Sequence, residues 1–525
     1  MADKVIVTNW TALKKKYGAK TANVDSAIKK MIAADKARGL ITILLRVDAT
    51  ADMKKVGGGV VTSAKSEKQN KKAIDKIDAK LSPDYILILG SVDVIPHQSL
   101  TNPVFDPGGD DDKFAFSDLP YACDVPYSKD PADFIGPTRV VGRLPGITGD
   151  TDPRYLISLI ENAMAWEASP PKTYANGFGI SALVWKGSTA MSMKNLFGSG
   201  SAARLSPEEG PEWTSPLLSR RSHFINCHGA LAEPFFYGQK GNSFPVAHDA
   251  SFVSGKISRG TVAAMECCYG AELYEPDDVH AGIANTYLQY GAYGYFGSTT
   301  IAYGPANDNG AADLICQYFL KSVLGGASLG RAALEARQKF AQHAPELDPV
   351  DLKTIAQFIF LGDPSIHPVK TTAAPASKTR GMAAAAEGSV SRDDRRRGLL
   401  VKGVMISQSQ PVARRSTAAL SPAVRSSLMK LAAKSLEQPL VMSFDVDRRN
   451  PQVRSAFMKG RMGAKSPSSF HVLIGRGKRT GIAPKTRGGT PGQPPIKPVI
   501  ALVAKEAGGK IVSVRQLFGK RAFLP

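Results

Sequence analysis

A histidine and a cysteine, each followed closely by glycine, stand after two apolar segments of the chain. The first segment reads FINCHG (224–229) and the second VAAMECCYG (262–270). A free thiol is mostly protonated at neutral pH, and a nearby imidazole raises its thiolate fraction. Glycine leaves room for a substrate backbone and frees an N–H to face a developing oxyanion. The pattern therefore indicates Cys267 as a thiol nucleophile and His228 as its base.

Two other interpretations compete at these residues. Cys268 is the alternative nucleophile, although the Cys-x-x-Gly spacing favours Cys267. A cysteine at a strand end can also be simply a small buried hydrophobic residue. Zinc binding by Cys227, His228, Cys267 and Cys268 is disfavoured, because adjacent strand residues point to opposite faces and no paired C-x-x-C knuckles are present. We expect no metal site.

Short apolar segments alternate with helical patterns along the first 370 residues. The predicted strands are 5–8, 41–47, 85–90, 138–142, 223–226, 261–265, 291–296 and 358–361, and the predicted helices are 23–36, 68–81, 154–166, 309–324 and 328–342. Alternation of this kind is typical of a mostly parallel sheet with helices on both faces. Since neighbouring strands lie about 5 Å apart and chemistry gathers at their carboxyl ends, His228 and Cys267 can reach one scissile bond.

The positive charge of the chain is concentrated near its end. The 525 residues carry a formal charge of +21. Residues 371–525 hold 29 Lys and Arg against 7 Asp and Glu, a net +22, which leaves residues 1–370 at −1. A split of this kind marks a domain boundary. We predict an N-terminal α/β subdomain (1–150), a second α/β subdomain (151–370), a flexible linker (371–398) and a basic β-rich domain (399–525).

The predicted β-rich domain contains several apolar runs of strand length. They are GLLVKGVMI, PLVMSFDVD, FHVLIGRG, KPVIALVAKE and IVSVRQLF, the last two joined by a hairpin at Gly508-Gly509. No apolar run approaches the roughly 18–20 residues of a membrane span. The opening residues MADKVIVTNW lack a secretory pattern, and five irregularly spaced cysteines disfavour a disulfide scaffold. We therefore expect a cytoplasmic protein without a membrane partner.

The His-Gly and Cys motifs resemble the layout of clan CD cysteine peptidases, and the chain is most similar to the gingipain-type family. Further segments of residues 1–370 resemble that family in the same order along the chain. They are DYILILGSVDVIP (84–96), SDLPY (117–121), VVGRLP (140–145), GSTTIAYG (297–304) and LGDPS (361–365).

The resemblance implies a caspase/gingipain-like fold, with residues 151–370 as the catalytic subdomain, and a Cys–His dyad that needs no metal or cofactor. His228 would be the catalytic histidine and Cys267 the nucleophile, while Gly229 and Cys267 would supply oxyanion N–H groups. Asp118 would supply the acidic residue of a pocket for a substrate Arg or Lys. The expected function is an intracellular cysteine endopeptidase that cleaves proteins or peptides after basic residues.

The basic C-terminal region leaves several roles open. It could bind a regulatory partner, inhibit the enzyme, be cut at Arg395-Arg396-Arg397 in the linker, or be merely a soluble domain. The alternative function is an inactive peptidase-like scaffold whose tail binds nucleic acid or an acidic protein. Aromatic residues are sparse in the tail, which disfavours sequence-specific RNA binding.

Overall fold

The structure, a computed structural model, describes residues 2–199, 201–241, 243–276, 281–370, 391–447, 468–478 and 498–521. Its strands are β1 (Lys4–Thr8), β2 (Thr42–Arg46), β3 (Tyr85–Leu89), β4 (Gln98–Thr101), β5 (Phe114–Ser117), β6 (Val141–Leu144), β7 (Phe178–Ala182), β8 (Arg204–Ser206), β9 (Ser222–Asn226), β10 (His228–Gly229), β11 (Phe235–Tyr237), β12 (Val246–Asp249), β13 (Val262–Met265), β14 (Gly294–Ser298), β15 (Tyr303–Gly304), β16 (Phe358–Gly362), β17 (Val412–Arg415), β18 (Leu436–Asp447), β19 (Ser468–Gly477), β20 (Val499–Ala507) and β21 (Lys510–Gly519).

The α-helices lie between and after these strands. They are α1 (Trp10–Tyr17), α2 (Thr21–Ala37), α3 (Thr50–Lys55), α4 (Glu67–Leu81), α5 (Arg154–Met164), α6 (Pro171–Tyr174), α7 (Lys186–Phe197), α8 (Ser215–Leu218), α9 (Ala250–Val253), α10 (Ile283–Gln289), α11 (Ala312–Leu324), α12 (Leu329–Ala341), α13 (Pro349–Gln357), α14 (Arg392–Ser409) and α15 (Pro422–Ser435).

The main sheet has ten strands in the order β2-β1-β3-β6-β16-β14-β13-β9-β7-β8. Its pairings are parallel except that β16 runs antiparallel to β14. Strands β1, β3, β9, β13 and β14 are buried along their whole length, as expected for strands covered on both faces. Two groups of helices pack beside the sheet: α5 contacts α2 and α10, and α11 contacts α7 and α12. The predicted mostly parallel α/β fold is thus confirmed.

A second sheet contains the last part of the chain and one strand from the first part. Its order is β15-β21-β20-β19-β18-β17. The predicted hairpin at Gly508-Gly509 is confirmed, and both glycines have positive φ, which suits a tight turn between β20 and β21. Residues of this sheet such as Val472 and Ala501 belong to the same buried cluster as the main sheet. The second sheet therefore packs on the first 370 residues through a shared core, and the four domain boundaries stay predictions.

Two local expectations differ from the structure. The run GLLVKGVMI is not a strand but part of α14, because Ser391 caps the helix by accepting the Asp394 N–H and two aspartates follow in the first turn. Arg395, Arg396 and Arg397, which lie in the predicted linker, are helical. The strand predicted at 138–142 lies at Val141–Leu144. The remaining linker residues, 371–390, are outside the described residues.

Candidate active site

The His and Cys motifs lie at the carboxyl ends of two neighbouring strands. β9 and β13 pair in parallel, with Val262 opposite Ser222 and Met265 opposite Ile225. One further hydrogen bond, from the Glu266 N–H to the Ile225 carbonyl at 2.8 Å, extends this pairing past the end of β13. The register therefore carries both motifs to the same edge of the main sheet.

His228 is held as a neutral imidazole. Its Nε2 lies 2.7 Å from Gln239 Oε1, and Gln239 Nε2 donates to the Gly241 carbonyl, so the amide oxygen faces the ring. Nε2 consequently carries the proton and Nδ1 the lone pair. Burial lowers the pKa of His228 to about 4, against the opposing effect of the Gln239 hydrogen bond. Nδ1 is buried without a side-chain hydrogen-bond partner among the described residues, and the backbone of Arg521 lies close enough to the ring to oppose the lowering of its pKa.

The two adjacent thiols point to different surroundings. Cys267 Sγ lies 3.9 Å from the Ile225 carbonyl. It is also close to the buried phenols of Tyr287 and Tyr295, because a negative charge on the Cys267 thiolate would raise the pKa of both. Cys268 Sγ accepts the Ala302 N–H at 3.1 Å and lies 3.6 Å from the Ala302 carbonyl. Burial raises the pKa of both thiols, so both are protonated in this state. Cys267 thus faces the protein core and Cys268 faces the loop around Ala302.

Gly229 brings the histidine strand against the cysteine turn. A Cβ atom at this position would lie 1.8 Å from the Cys268 carbonyl oxygen, so only glycine fits. The Gly229 N–H donates to the backbone carbonyl of Lys520 at 2.8 Å. The N–H that the sequence predicts as an oxyanion donor therefore already holds a peptide carbonyl of the same chain.

The side chain of Lys520 ends in a buried acidic pocket beside these residues. Its Nζ donates to Asn226 Oδ1 at 2.6 Å and to Glu266 Oε2 at 2.7 Å, and Asp313 Oδ1 lies 3.6 Å away. The Trp185 ring, whose centroid is 5.0 Å from Nζ, forms another wall. Burial lowers the pKa of Lys520, but Asp313 and Glu266 raise it by more, so the ammonium stays charged.

Sequence reasoning missed this pocket. Glu266 stands directly before the two cysteines, and its side chain enters the pocket to bind the Lys520 ammonium. Burial and the neighbouring Asp313 raise the pKa of Glu266, whereas Lys520 opposes the shift. A carboxylate at a strand end was a visible signal, but its partners are far away in sequence.

Asp118 has a different neighbour from the one the sequence suggests. Both of its oxygens are held by Arg143, at 2.7 Å from Nη2 and 2.8 Å from Nε. Burial would raise the pKa of Asp118, but Arg143 and His97 lower it by more, so the net shift is downward. This is a buried bidentate ion pair with β6, and the role of Asp118 in substrate recognition stays a prediction.

The described residues contain no group of three or more His, Cys, Asp or Glu side chains that could hold a metal ion. Within the same parts of the chain, no helix is long and apolar enough to cross a membrane.

Residues 249–369, which include both cysteines, match the model of peptidase family C25. This match confirms, over those residues, the resemblance to gingipain-type clan CD enzymes.

Two solved structures resemble the chain at low sequence identity. None of the curated proteins matches the chain significantly. A solved structure described as "Structure of Protease" aligns with 98% of this chain and 97% of that chain, at 11% identity and a TM-score of 0.47. The Saccharomyces cerevisiae separase–securin complex aligns with 44% of this chain and 14% of that chain, at 12% identity and a TM-score of 0.28.

Proposed function

We propose that the protein is a cysteine endopeptidase that cleaves after basic residues and uses His228 with one of the two adjacent thiols. The observation that carries the proposal is the Lys520 carbonyl, which accepts the Gly229 N–H next to both motifs. Donors aimed at a carbonyl oxygen stabilise the oxyanion that forms when a nucleophile attacks. The same peptide presents a basic side chain to a buried acidic pocket.

The contacts support Cys268 as the nucleophile, the alternative that the sequence left open. Cys268 Sγ and the Lys520 N–H share one partner, the Ala302 carbonyl, at 3.6 and 2.9 Å. The thiol therefore lies beside the backbone of the residue whose carbonyl would be attacked. Cys267, which the Cys-x-x-Gly spacing favours, faces the core, and separate substitution of each thiol decides between them.

The proposed reaction follows from these positions. His228 Nδ1 takes the thiol proton, and sulfur attacks the carbonyl carbon while the Gly229 N–H holds the oxyanion. The predicted second donor is the Cys267 N–H. Collapse of this intermediate breaks the C–N bond, and the imidazolium returns its proton to the leaving amine. Water, deprotonated by His228, then hydrolyses the thioester and frees the thiol.

Specificity for a basic residue rests on the charge of the pocket. Glu266 and Asp313 are two buried carboxylates, and buried charges are costly unless they are paired. A substrate Lys or Arg supplies the missing cation. We propose this pair, rather than Asp118 alone, as the acidic determinant of specificity.

Peptide hydrolysis tests the proposal. We expect a variant that lacks residues 520–525, and so has an empty pocket, to hydrolyse fluorogenic peptides with a basic residue before the scissile bond. In that background, Cys268→Ala and His228→Ala should each lower kcat by about 10³-fold or more, whereas Cys267→Ala should retain most activity. Full activity in Cys268→Ala together with loss in Cys267→Ala would assign the nucleophile to Cys267.

The scaffold alternative has weaker support. Several basic side chains of the C-terminal region already pair with acidic residues of the first 370, for example Lys505 with Glu346 at 2.8 Å and Arg515 with Asp351 at 3.2 Å. Cations that are neutralised within the protein are less available to a polyanion. Basic residues in 448–467 and 479–497 lie outside the described residues.

A further inference from the structure

We infer that residues 518–521, which we name the C-terminal segment, occupy the substrate cleft as a built-in pseudosubstrate, with Lys520 in the position of the residue before the scissile bond. The inference rests on the proposed function and adds to it the regulation of the site and a preference for lysine. The cleft would open only when the C-terminal segment leaves it.

The backbone of the C-terminal segment is bound in the way an extended substrate binds. β21 pairs antiparallel with β15, so that Gly519 is opposite Tyr303 and Phe518 is opposite Gly304. The next residue, Lys520, donates its N–H to the Ala302 carbonyl at 2.9 Å and accepts the Gly229 N–H at 2.8 Å. Addition of a strand to an exposed edge is a common mode of peptide recognition. Here the added strand comes from the same chain.

The pocket suits a lysine better than an arginine. An ammonium has three N–H donors, and three oxygens surround it, from Asn226, Glu266 and Asp313. Gly304 forms a close wall, because a Cβ there would lie 2.6 Å from Lys520 Cε. A planar guanidinium, with five donors, needs more width at this depth.

The residue after Lys520 is also held. Arg521 forms a bridge with Gly229, its guanidinium contacts Asp111 at 2.5 Å, and it lies 5.9 Å from the Tyr269 ring centroid. The peptide bond between Lys520 and Arg521 is therefore fixed from both sides beside the histidine motif. A bond fixed in this place is the one that the dyad would attack.

The C-terminal segment closes the site. His228 is 1% exposed, and Cys267 and Cys268 are 0% exposed. A peptide from solution cannot reach these groups while the segment stays in place. Because the segment continues β21, its effective concentration at the cleft is high, on the order of millimolar or above for a short tether. A free substrate must compete with that concentration.

Substitution of Lys520 tests the inference with two independent readouts. The proteins are the full chain, Lys520→Ala, and Lys510→Ala as the matched control, since Lys510 is an exposed lysine on the same strand. All five cysteines are buried, so the native full chain should react with no equivalent of a thiol reagent. We expect Lys520→Ala to expose one reactive thiol and to hydrolyse lysine peptides at least 10-fold faster than the full chain. Adding Cys268→Ala to this variant should remove the reactive thiol. Lys510→Ala should match the full chain in both readouts.

The outcomes separate this inference from the proposed function. If Lys520→Ala exposes the thiol but hydrolyses no peptide, the result supports the inference that the C-terminal segment covers the site and contradicts the proposed peptidase activity. If the thiol of the unmodified full chain already reacts, and the full chain hydrolyses lysine peptides as fast as Lys520→Ala, the inference of a pseudosubstrate is overturned. The proposed peptidase activity is then supported. Should Lys520→Ala fail to fold, the variant that ends at Gly519 keeps β21 and is measured in the same way. Loss of residues 521–525 from the full chain by intact mass, dependent on Cys268, also supports the inference.

Discussion

The acidic pocket predicts a large preference for lysine over its uncharged analogue norleucine before the scissile bond. Two hydrogen bonds to the charged ammonium, at 2.6 and 2.7 Å, would be lost with norleucine. At about 1.5–3 kcal/mol each, their loss amounts to about 3–6 kcal/mol. Since about 1.4 kcal/mol is tenfold in rate, kcat/KM should fall by roughly 10²- to 10⁴-fold.

The assay compares two fluorogenic peptides that differ only in that residue, with the variant that lacks residues 520–525 as the enzyme. Glu266→Gln in this background keeps the shape of the pocket and removes one charge, so it should reduce the lysine-to-norleucine ratio by roughly 10- to 100-fold. Glu208→Gln, at an exposed carboxylate paired with Lys240, is the control and should leave the ratio unchanged. A ratio under about 10, or one that Glu266→Gln does not alter, would show that the pocket is not the specificity site.

Three further outcomes follow from the same contacts. Asp118→Asn should destabilise the protein by about 3–5 kcal/mol in chemical denaturation, because it leaves the buried Arg143 without its counter-ion. It should not change the lysine-to-norleucine ratio of kcat/KM, and a changed ratio would support the pocket role predicted for Asp118. Lowering the pH from 7 to 4 should lower the melting temperature. Burial lowers the pKa of His223 and His228 to about 4 and of His248 to about 3, so below the ordinary histidine pKa near 6.5 these side chains take up protons when the protein unfolds. An equal melting temperature at both pH values would contradict this. Gly229→Ala should abolish hydrolysis and lower stability, since its methyl group would overlap the Cys268 carbonyl, and a normal rate would refute the assigned oxyanion position.

Local patterns in the sequence were enough to predict most of the main sheet. The apolar run 85–90 and the helical spacing over 68–81 and 154–166 appear in the structure with nearly the same bounds, because burial on both sides and an amphipathic face leave direct signals. The run GLLVKGVMI failed because a short apolar stretch fits both a strand and a helix. Its helical form depends on the Ser391 cap, which precedes the run.

The pocket could not be predicted in the same way. Lys520 lies 254 positions from Glu266 and 294 from Asn226, so that only the complete fold brings them together. The sequence identified the basic tail through its charge, but a count of charges does not show which lysine is buried. The two thiols were equally hard to separate, since the direction of each side chain depends on how the chain turns after β13.

The position of β21 between β15 and β20 has a mechanical consequence. Each residue of a strand advances about 3.3 Å, and a slip of one residue turns every side chain to the opposite face. A displacement of the second sheet by a single register step would therefore withdraw the ammonium from its three oxygens and bare the thiol. Strands β17, β18 and β19 belong to the same sheet as β21, so a force on them would reach the Lys520 pocket from a distance.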